Sequence, residues 1–481
     1  MIIRKLEQVA KMSGGHIQGS GNGTVTIAGV STDSRKVERG QLFIPLQGDN
    51  FDGHHYVAGA LEGGAAAAMW QTDHPVPAEL RDAPLVLVED TLAALQELAS
   101  AYRLELPVRV VGITGSNGKT TTKDMVAAIL GTTFKVHKTF GNLNNHIGLP
   151  LTVLQLAEDT EAAVLEMGMS GFGEIELLTR IAQPDAAIIT NIGDAHLLQL
   201  GSRAGIARAK LEIAAGLRED GLFVYNGDEP LLVEGVKGLQ LPAGAQLQSF
   251  GIEEKDANYW LASSIAVDAT SSSFDVSEDG VKGNLTGIAL PVPGRHNVSN
   301  ALAAIAIGRR FGVEDAAIRQ GLSELLLTGM RIEPRRAYNG AMLLNDAYNA
   351  NPTAVRAAID LLEQLSGFRR KWLVLADMLE LGPEEAELHR EIGAYVDPSK
   401  ADALLLYGQL SEHTAAGAKA NYSGDGVVSE SALGVRYFTD KSKLIEALLA
   451  EVAPEDLVLV KGSRGMRMEQ VVQAMEQGQG V

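Results

Sequence analysis

The sequence predicts an α/β protein of three domains, spanning residues 1–90, 91–328 and 329–481. Three observations lead there. At about 150 residues per domain, the 481 residues provide for about three, each long enough to bury its own core. A glycine-rich stretch, Gly112-Ile113-Thr114-Gly115-Ser116-Asn117-Gly118-Lys119-Thr120-Thr121-Thr122, follows the β-branched run 108–111 and leads into 123–130, in the order strand, loop, helix. Short apolar runs alternating with helical patterns recur on both sides of residue 328, as expected for two parallel sheets covered on both faces.

In the first region, 24–30 and 41–46 are β-like runs between glycine turns, and the small-residue run 57–68 reads as a helix, which together make a small α/β domain. The helical stretch 91–104 leads to Pro107 and the glycine-loop strand. Core strands are expected at 162–167, 186–190 and 222–225. The segment 256–287 is rich in Ser, Asp and Gly, and the alternation at 264–267 and 273–276 suggests appended antiparallel strands. Pro291-Val292-Pro293-Gly294 punctuates, and 299–311 reads as an alanine-rich helix. After 325–328 the pattern restarts, with strands at 342–344, 372–375, 403–407, 436–438 and 457–460 and helices such as 353–365 and 441–450. That is a second doubly wound, Rossmann-like domain, but without a Gly-x-Gly-x-x-Gly fingerprint.

The formal charge of −19 argues against a nucleic-acid groove, so anionic ligands must be met locally. The absence of cysteine removes disulfides, thiolate metal sites and cysteine nucleophiles. No uninterrupted apolar run approaches a membrane span, and a cytoplasmic protein is expected.

The glycine loop reads as a polyphosphate cradle for ATP or GTP. Small residues let backbone N–H groups turn toward phosphate oxygens, Lys119 supplies a cation, Thr120 can hold Mg²⁺, and the helix N-terminus adds partial positive charge. Five residues separate Gly112 from Gly118, one more than the strict phosphate-loop pattern allows. Glu166 closes a core strand, at the carboxyl edge where ligands of open sheets bind, as a Mg²⁺ ligand or a solvated acid. His196, just past the next strand, is a metal ligand or a hydrogen-bonded loop residue. Lys210 lies in a helical pattern and by itself reads as a solvated lysine. Asn297 and Asn300 precede the alanine-rich helix, either to cap it or to read an adenine edge. Asp346-Ala347-Tyr348-Asn349-Ala350-Asn351-Pro352 and Lys461-Gly462-Ser463-Arg464-Gly465 both follow strands, as turns or as ligand-facing loops.

Taken together, these residues resemble the Mur ligase family, whose ATP loop has the spacing Gly-x-x-Gly-x-x-Gly-Lys-Thr found at Gly112 to Thr120. The further marks are Asp33-Ser34-Arg35, Phe51-Asp52-Gly53-His54, Gly141-Asn142-Leu143-Asn144-Asn145-His146-Ile147-Gly148, Glu166-Met167-Gly168 and Ala376-Asp377-Met378-Leu379-Glu380-Leu381-Gly382. The two strings after strands, at Asp346 and Lys461, complete the set in the family's order. The resemblance implies a UDP-sugar-binding N-terminal domain, a central ATPase-like domain and a C-terminal Rossmann-like ligase domain. Within the family, the strings fit the member that joins D-Ala-D-Ala to UDP-MurNAc-tripeptide with ATP and Mg²⁺, through an acyl phosphate, in peptidoglycan synthesis. They favour it over another amide ligase of the superfamily or a nucleotide switch.

By the same resemblance, Ser34, Arg35, Asp52, Gly53 and His54 lie near the UDP end, while Asn144, Asn145 and Ser170 face the muramoyl-peptide. Gly115, Ser116, Asn117, Gly118, Lys119, Thr120 and Thr121 cradle the phosphates, with Asn297, Asn300, Arg331 and Asp346 at the adenosine and phosphates. Glu166 and His196 hold a second Mg²⁺, and Lys210 matches a lysine the family carries as a carbamate. Where several relatives have Asp directly before the histidine, this chain reads Asp194-Ala195-His196. A monomer is expected.

Overall fold

A computed structural model describes residues 1–19, 22–48, 50–253, 258–422 and 434–479. Asp256, the start of the Ser/Asp/Gly-rich segment, lies outside them.

The strand Arg109–Thr114 lies third from one edge of a ten-stranded sheet and pairs in parallel with Ala162–Glu166 on one side and Ala186–Ile189 on the other. Its Val110, Val111 and Ile113 are fully buried, which suits β-branched residues covered on both faces. Outward from it run Val136–Lys138 at one edge and Leu222–Asn226, Gln246–Gly251 and Trp260–Val267 toward the other, all parallel. Ser272–Glu278, Val281–Lys282 and Ile288–Leu290 then add antiparallel pairs, as the alternating segment predicts.

Helices Lys119–Gly131 and Arg295–Arg310 cover one face of this sheet, around Met125, Ile129, Leu302 and Ile305. The other face shares a single buried cluster with the N-terminal region, running from Ile2, Leu6 and Leu42 through Leu95 and Leu98 to Leu165 and Ile189. Helix Thr91–Glu105 is the bridge; it is capped by Asp90, whose carboxylate accepts from Ala93 N at 2.7 Å. The N-terminal sheet has five strands in the order His16–Ile17, Leu85–Val88, Ala67–Gln71, Leu42–Phe43, Val30–Ser31.

The C-terminal sheet has six strands, ordered Glu333–Arg336, Met342–Asp346, Leu457–Lys461, Lys371–Ala376, Ala403–Tyr407, Gly434–Phe438. All but the first pair run parallel, the doubly wound arrangement the sequence predicts. It has buried clusters of its own on its two faces, and among the described apolar residues of the central region Val267 and Ala269 pack against them. The N-terminal and central regions therefore share a core, whereas the C-terminal lobe stands on its own.

Two expectations are corrected. The run 57–68 is not one helix: Val57–Glu62 is helical, Gly63 and Gly64 break it, and strand Ala67–Gln71 follows. Alanine carries no periodicity by which the two halves could be told apart. The alanine-rich helix starts at Arg295, four residues before the expected 299, because Gly294 at φ +111° turns the chain into it directly after Pro293. Asn297 and Asn300 thus lie inside the first turns and do not precede the helix.

Candidate active site

Two glycines let the phosphate loop close over the sheet edge. A Cβ on Gly115 (φ +150°) would lie 1.8 Å from Thr190 Oγ1, and one on Gly118 (φ +79°) would lie 2.6 Å from Asn300 Oδ1. The loop backbone is pinned from the neighbouring strand end, with Ser116 N donating to Asn191 O (3.0 Å) and Asn117 N to Asn191 Oδ1 (2.9 Å). Gly118→Ala meets both a left-handed backbone and the Asn300 amide. It should lower nucleotide affinity by about 10- to 100-fold, an effect of roughly 1.5–3 kcal/mol, as read by calorimetric titration with ATP.

Lys119 opens the helix, and its ammonium turns back onto the loop, donating to Gly115 O at 2.7 Å. Burial lowers its pKa, opposed by Glu166 and assisted by Arg331. Thr120 Oγ1 donates to Glu166 Oε2 at 3.0 Å and accepts from Arg331 Nη2 at 3.2 Å. Glu166, read in the sequence as a ligand or a solvated acid, is 4 % exposed, and its other oxygen accepts from Asn144 Nδ2 at 2.9 Å. Ser116 Oγ is buried without a hydrogen-bond partner, and Thr121 is buried in the first helical turn.

His196 stands in the left-handed region (φ +66°) at the start of the short helix Leu197–Leu200. Its pKa is pushed down to about 4 by burial and then by Lys119 and Lys210, so the ring is neutral at pH 7 with lone-pair nitrogen to offer. The reading of Lys210 as a solvated lysine is corrected: it is 2 % exposed. Among the described residues its ammonium forms no hydrogen bond or ion pair, and burial, then Lys119, lower its pKa well below the ordinary value. Its helix, Arg203–Leu211, packs inward at this point, which outward-facing helical charge does not foretell.

The adenosine candidates divide. Asn297 Nδ2 donates to Pro293 O (2.8 Å), and Asn300 Nδ2 reaches Asn297 Oδ1 (3.4 Å), beside the phosphate loop. Arg331 lies over the Tyr348 ring, 3.9 Å from its centroid. Asp346 is ion-paired to Lys461 at 2.6 Å. Lys461 is therefore a buried, paired cation, whereas Arg464 of the same string is exposed.

Of the peptide-facing candidates, Asn144 joins the site through Glu166, whereas Asn145 Oδ1 accepts from Ile147 N and Gly148 N, holding the start of helix Gly148–Leu154. Ser170 is exposed, its N–H on Glu174. In the N-terminal lobe, Asp33 holds Arg35 through two bonds of 2.9 and 3.0 Å and leaves Ser34 half-buried beside it.

Gly53 sits in the turn between Asp52 and His54, whose side chains meet His74. The ligating atoms of these three lie within 4.8 Å of one another, but the ring nitrogens are already engaged. His54 Nδ1 bonds Asp52 (2.7 Å) and its Nε2 accepts from Gln71 N (3.2 Å), while His74 lies between Asp73 (2.6 Å) and Asp52 (3.2 Å), stacked on His54. The carboxylates, Asp73 first, raise the pKa of His74, and burial lowers that of His54. The cluster is a clasp between loops and not a cation site.

Sequence reasoning missed His74, Thr139 and Thr353 here, and named Asn351 only within the string before Pro352, as turn or ligand-facing loop. Thr139 Oγ1 accepts from Glu166 N at 2.9 Å, and Thr353 Oγ1 donates to Asp194 Oδ2 at 2.8 Å. Only Asn351 carried a local signal, as an N-cap before Pro352 at the first helical position.

A phosphate loop, a buried carboxylate, a neutral imidazole and an unpaired lysine meet at one sheet edge, with a separate lobe against them. Fold and site define a nucleotide-dependent enzyme of the three-lobed kind. Three family profiles match along the chain: Mur ligase family, catalytic domain (residues 26–103), Mur ligase middle domain (113–308) and Mur ligase, glutamate ligase domain (330–464). The chain belongs to the Mur ligase family.

Among its relatives, the UDP-N-acetylmuramoyl-tripeptide–D-alanyl-D-alanine ligase of Bacillus subtilis (strain 168) is 48 % identical over 478 residues, 98 % of each chain. The crystal structure of MurF from Acinetobacter baumannii superposes with a TM-score of 0.87 at 29 % identity, over 99 % of both chains. That of MurF ligase from Thermotoga maritima in complex with ADP gives 0.80 at 28 %, over 94 % of this chain and 97 % of that one.

Proposed function

We propose that this protein joins D-Ala-D-Ala to UDP-MurNAc-tripeptide at the expense of ATP, giving UDP-MurNAc-pentapeptide, ADP and phosphate for peptidoglycan synthesis. The observation that carries the reading is the convergence of Lys119, Thr120, Glu166, His196 and Lys210 beneath a glycine loop, in a chain that matches ligases of that name from end to end. The regions 1–90, 91–328 and 329–481 then serve as UDP-sugar-binding, ATP-binding and Rossmann-like ligase domains, in a cytoplasmic enzyme. No helix among the described residues is long and apolar enough to cross a membrane.

The chemistry answers an energetic problem. A peptide carboxylate at pH 7 is a poor electrophile. Attack of its oxygen on the γ-phosphorus of ATP releases ADP and leaves an acyl phosphate, whose phosphate departs readily when the amine of D-Ala-D-Ala attacks the acyl carbon. That amine has a pKa of about 8, so roughly a tenth is already neutral near pH 7, and orientation matters more than basicity. The chain's own contribution is electrostatic: Lys119 and the loop N–H groups meet the phosphate charge where triphosphate and carboxylate crowd together.

The donor set fits Mg²⁺. Glu166 offers buried oxygens that take two donors among the described residues, Thr120 offers a hydroxyl, and His196 a neutral ring. Bound Mg²⁺ supplies charge neutralisation for phosphoryl transfer. The ammonium of Lys210 alone would oppose it. Attack of the neutral amine on CO₂ with loss of a proton would turn that cation into an anionic carbamate ligand, which matches the burial of Lys210 and its lack of partners among the described residues.

The test is phosphate release by the purified protein with Mg-ATP and each substrate in turn. Release is expected only when UDP-MurNAc-tripeptide and D-Ala-D-Ala are both present, with ¹⁸O from a labelled substrate carboxylate recovered in the phosphate. Release indifferent to D-Ala-D-Ala, or phosphate without label, removes the assignment.

A further inference from the structure

Among the described residues the C-terminal lobe shares no buried cluster with the central one; Val267 and Ala269 pack against it, and polar contacts join it to the phosphate-binding edge. Interfaces of that kind leave lobe motion as the default. Two of the contacts come from the start of helix Pro352–Gln364 and reach two different loops of the phosphate-binding edge.

Asn351 and Asn117 exchange amide hydrogen bonds: Asn351 Nδ2 donates to Asn117 Oδ1 at 2.7 Å, and Asn117 Nδ2 donates to Asn351 Oδ1 at 3.3 Å. Two residues further on, Thr353 Oγ1 donates to Asp194 Oδ2 at 2.8 Å, in the loop that carries His196. The orientation of the Asn351 amide is fixed independently. Its oxygen caps the helix by accepting from Ala354 N at 2.9 Å, which leaves the nitrogen as the donor across the interface. Asn117 is equally constrained, since its backbone N–H is held by Asn191 and its carbonyl by Thr190. Its side chain is then the part of the phosphate loop that faces the other lobe.

We propose that Asn117 and Asn351, seconded by Asp194 and Thr353, form a latch that couples the conformation of the phosphate loop to docking of the C-terminal lobe. Asn117 lies between Ser116 and Gly118, so a polyphosphate that orders the loop N–H groups also sets the amide that receives Asn351. By linkage, lobe docking strengthens phosphate binding by the same factor. The latch deepens the ligase reading and rests on it: it holds the lobe in place while the acyl phosphate waits for its amine, and Asn117 and Asn351 act as positioning residues.

The test uses Asn351→Asp, which keeps a good helix cap and so the fold, but removes the donor and sets a carboxylate against Asn117 Oδ1. The chain contains no cysteine, so Glu219→Cys and Lys443→Cys, at exposed positions of the two lobes, give a unique spin-label pair for interlobe distances. With Mg-ATP bound, the parent should show one narrow distance distribution and Asn351→Asp a broad one, at unchanged melting temperature. The kcat for ligation should fall roughly tenfold, the worth of one or two neutral hydrogen bonds. Phosphate released per peptide bond should rise above one, as water intercepts the acyl phosphate.

Thr353→Val should act in the same direction. Asn117→Ala should add no further loss on top of Asn351→Asp, because both remove one contact. Unchanged distances and kcat in Asn351→Asp, or losses that multiply in the double variant, overturn the latch while leaving the ligase reading intact. Should the parent fail to ligate, the ligase reading falls, and the distance distributions with Mg-ATP still decide the latch.

Discussion

Lys119→Ala is expected to abolish ligation in a protein that remains folded. The parent ammonium is held within the loop by the carbonyls of Gly115 and Ser116, at 2.7 and 3.4 Å, and sits in the field of Glu166. In the transition state for phosphoryl transfer, negative charge from a triphosphate and a carboxylate is brought together at that point. A pre-positioned cation in a site withdrawn from water is worth on the order of 3–4 kcal/mol there, or about 10²- to 10³-fold in rate. Stability should change little. Two hydrogen bonds to the loop are lost, but so is the cost of holding an ammonium away from water, and the helix Lys119–Gly131 keeps its apolar contacts through Met125, Ile129 and Leu130. Product formation by mass spectrometry and a thermal melt check both halves. Turnover near the parent's would show that the glycine loop is not where ATP reacts.

The parts of this site that are local in sequence were legible in it. A β-branched run followed by spaced glycines, a lysine and threonines specifies strand, left-handed loop and helix start without outside help, and the structure has them at Arg109–Thr114, Gly115, Gly118 and Lys119–Gly131. Glu166 was placed at a strand end by the same logic, though not its burial. The burial of Lys210 was not legible, because periodicity assigns a helix face only by what is apolar, and here the inward position is a lysine beside Lys119 and His196; only the family resemblance singled it out. Asn351 could be read as a cap, but its partner lies 234 residues away, a pairing that exists only once the two lobes are docked. The pairing of Lys461 was hidden for a similar reason: its carboxylate partner, Asp346, is supplied by the neighbouring strand and is 115 residues distant. The early start of helix Arg295–Arg310 turned on the conformation of one glycine, which the sequence Pro293-Gly294 permits but does not require.

Lys210→Met should separate stability from function. The ammonium of a residue that is 2 % exposed, with no hydrogen bond or ion pair among the described residues, is held against its hydration, and its lowered pKa expresses that cost. Methionine fills nearly the same volume without the charge, so the variant should melt higher than the parent in CO₂-free buffer, by about 2–4 °C for each kcal/mol relieved. The pH dependence gives the sign. Between its lowered folded value and the ordinary 10.5, Lys210 binds fewer protons in the folded than in the unfolded state. Parent stability therefore rises with pH across that window: the penalty is fully present below the folded value and gone above the unfolded one. The advantage of Lys210→Met should accordingly be largest below the lowered folded value and shrink toward pH 10.5. Ligation, in contrast, should fall by on the order of 10²- to 10³-fold, the scale for losing a group that organises transition-state charge. With ¹³C-bicarbonate the parent should show a carbamate carbonyl resonance that the variant lacks. A variant as active as the parent would remove Lys210 from the reaction. A melting temperature that does not rise near neutral pH would show that the pocket carries the ammonium without cost, and the physical case for a carbamate there would go with it.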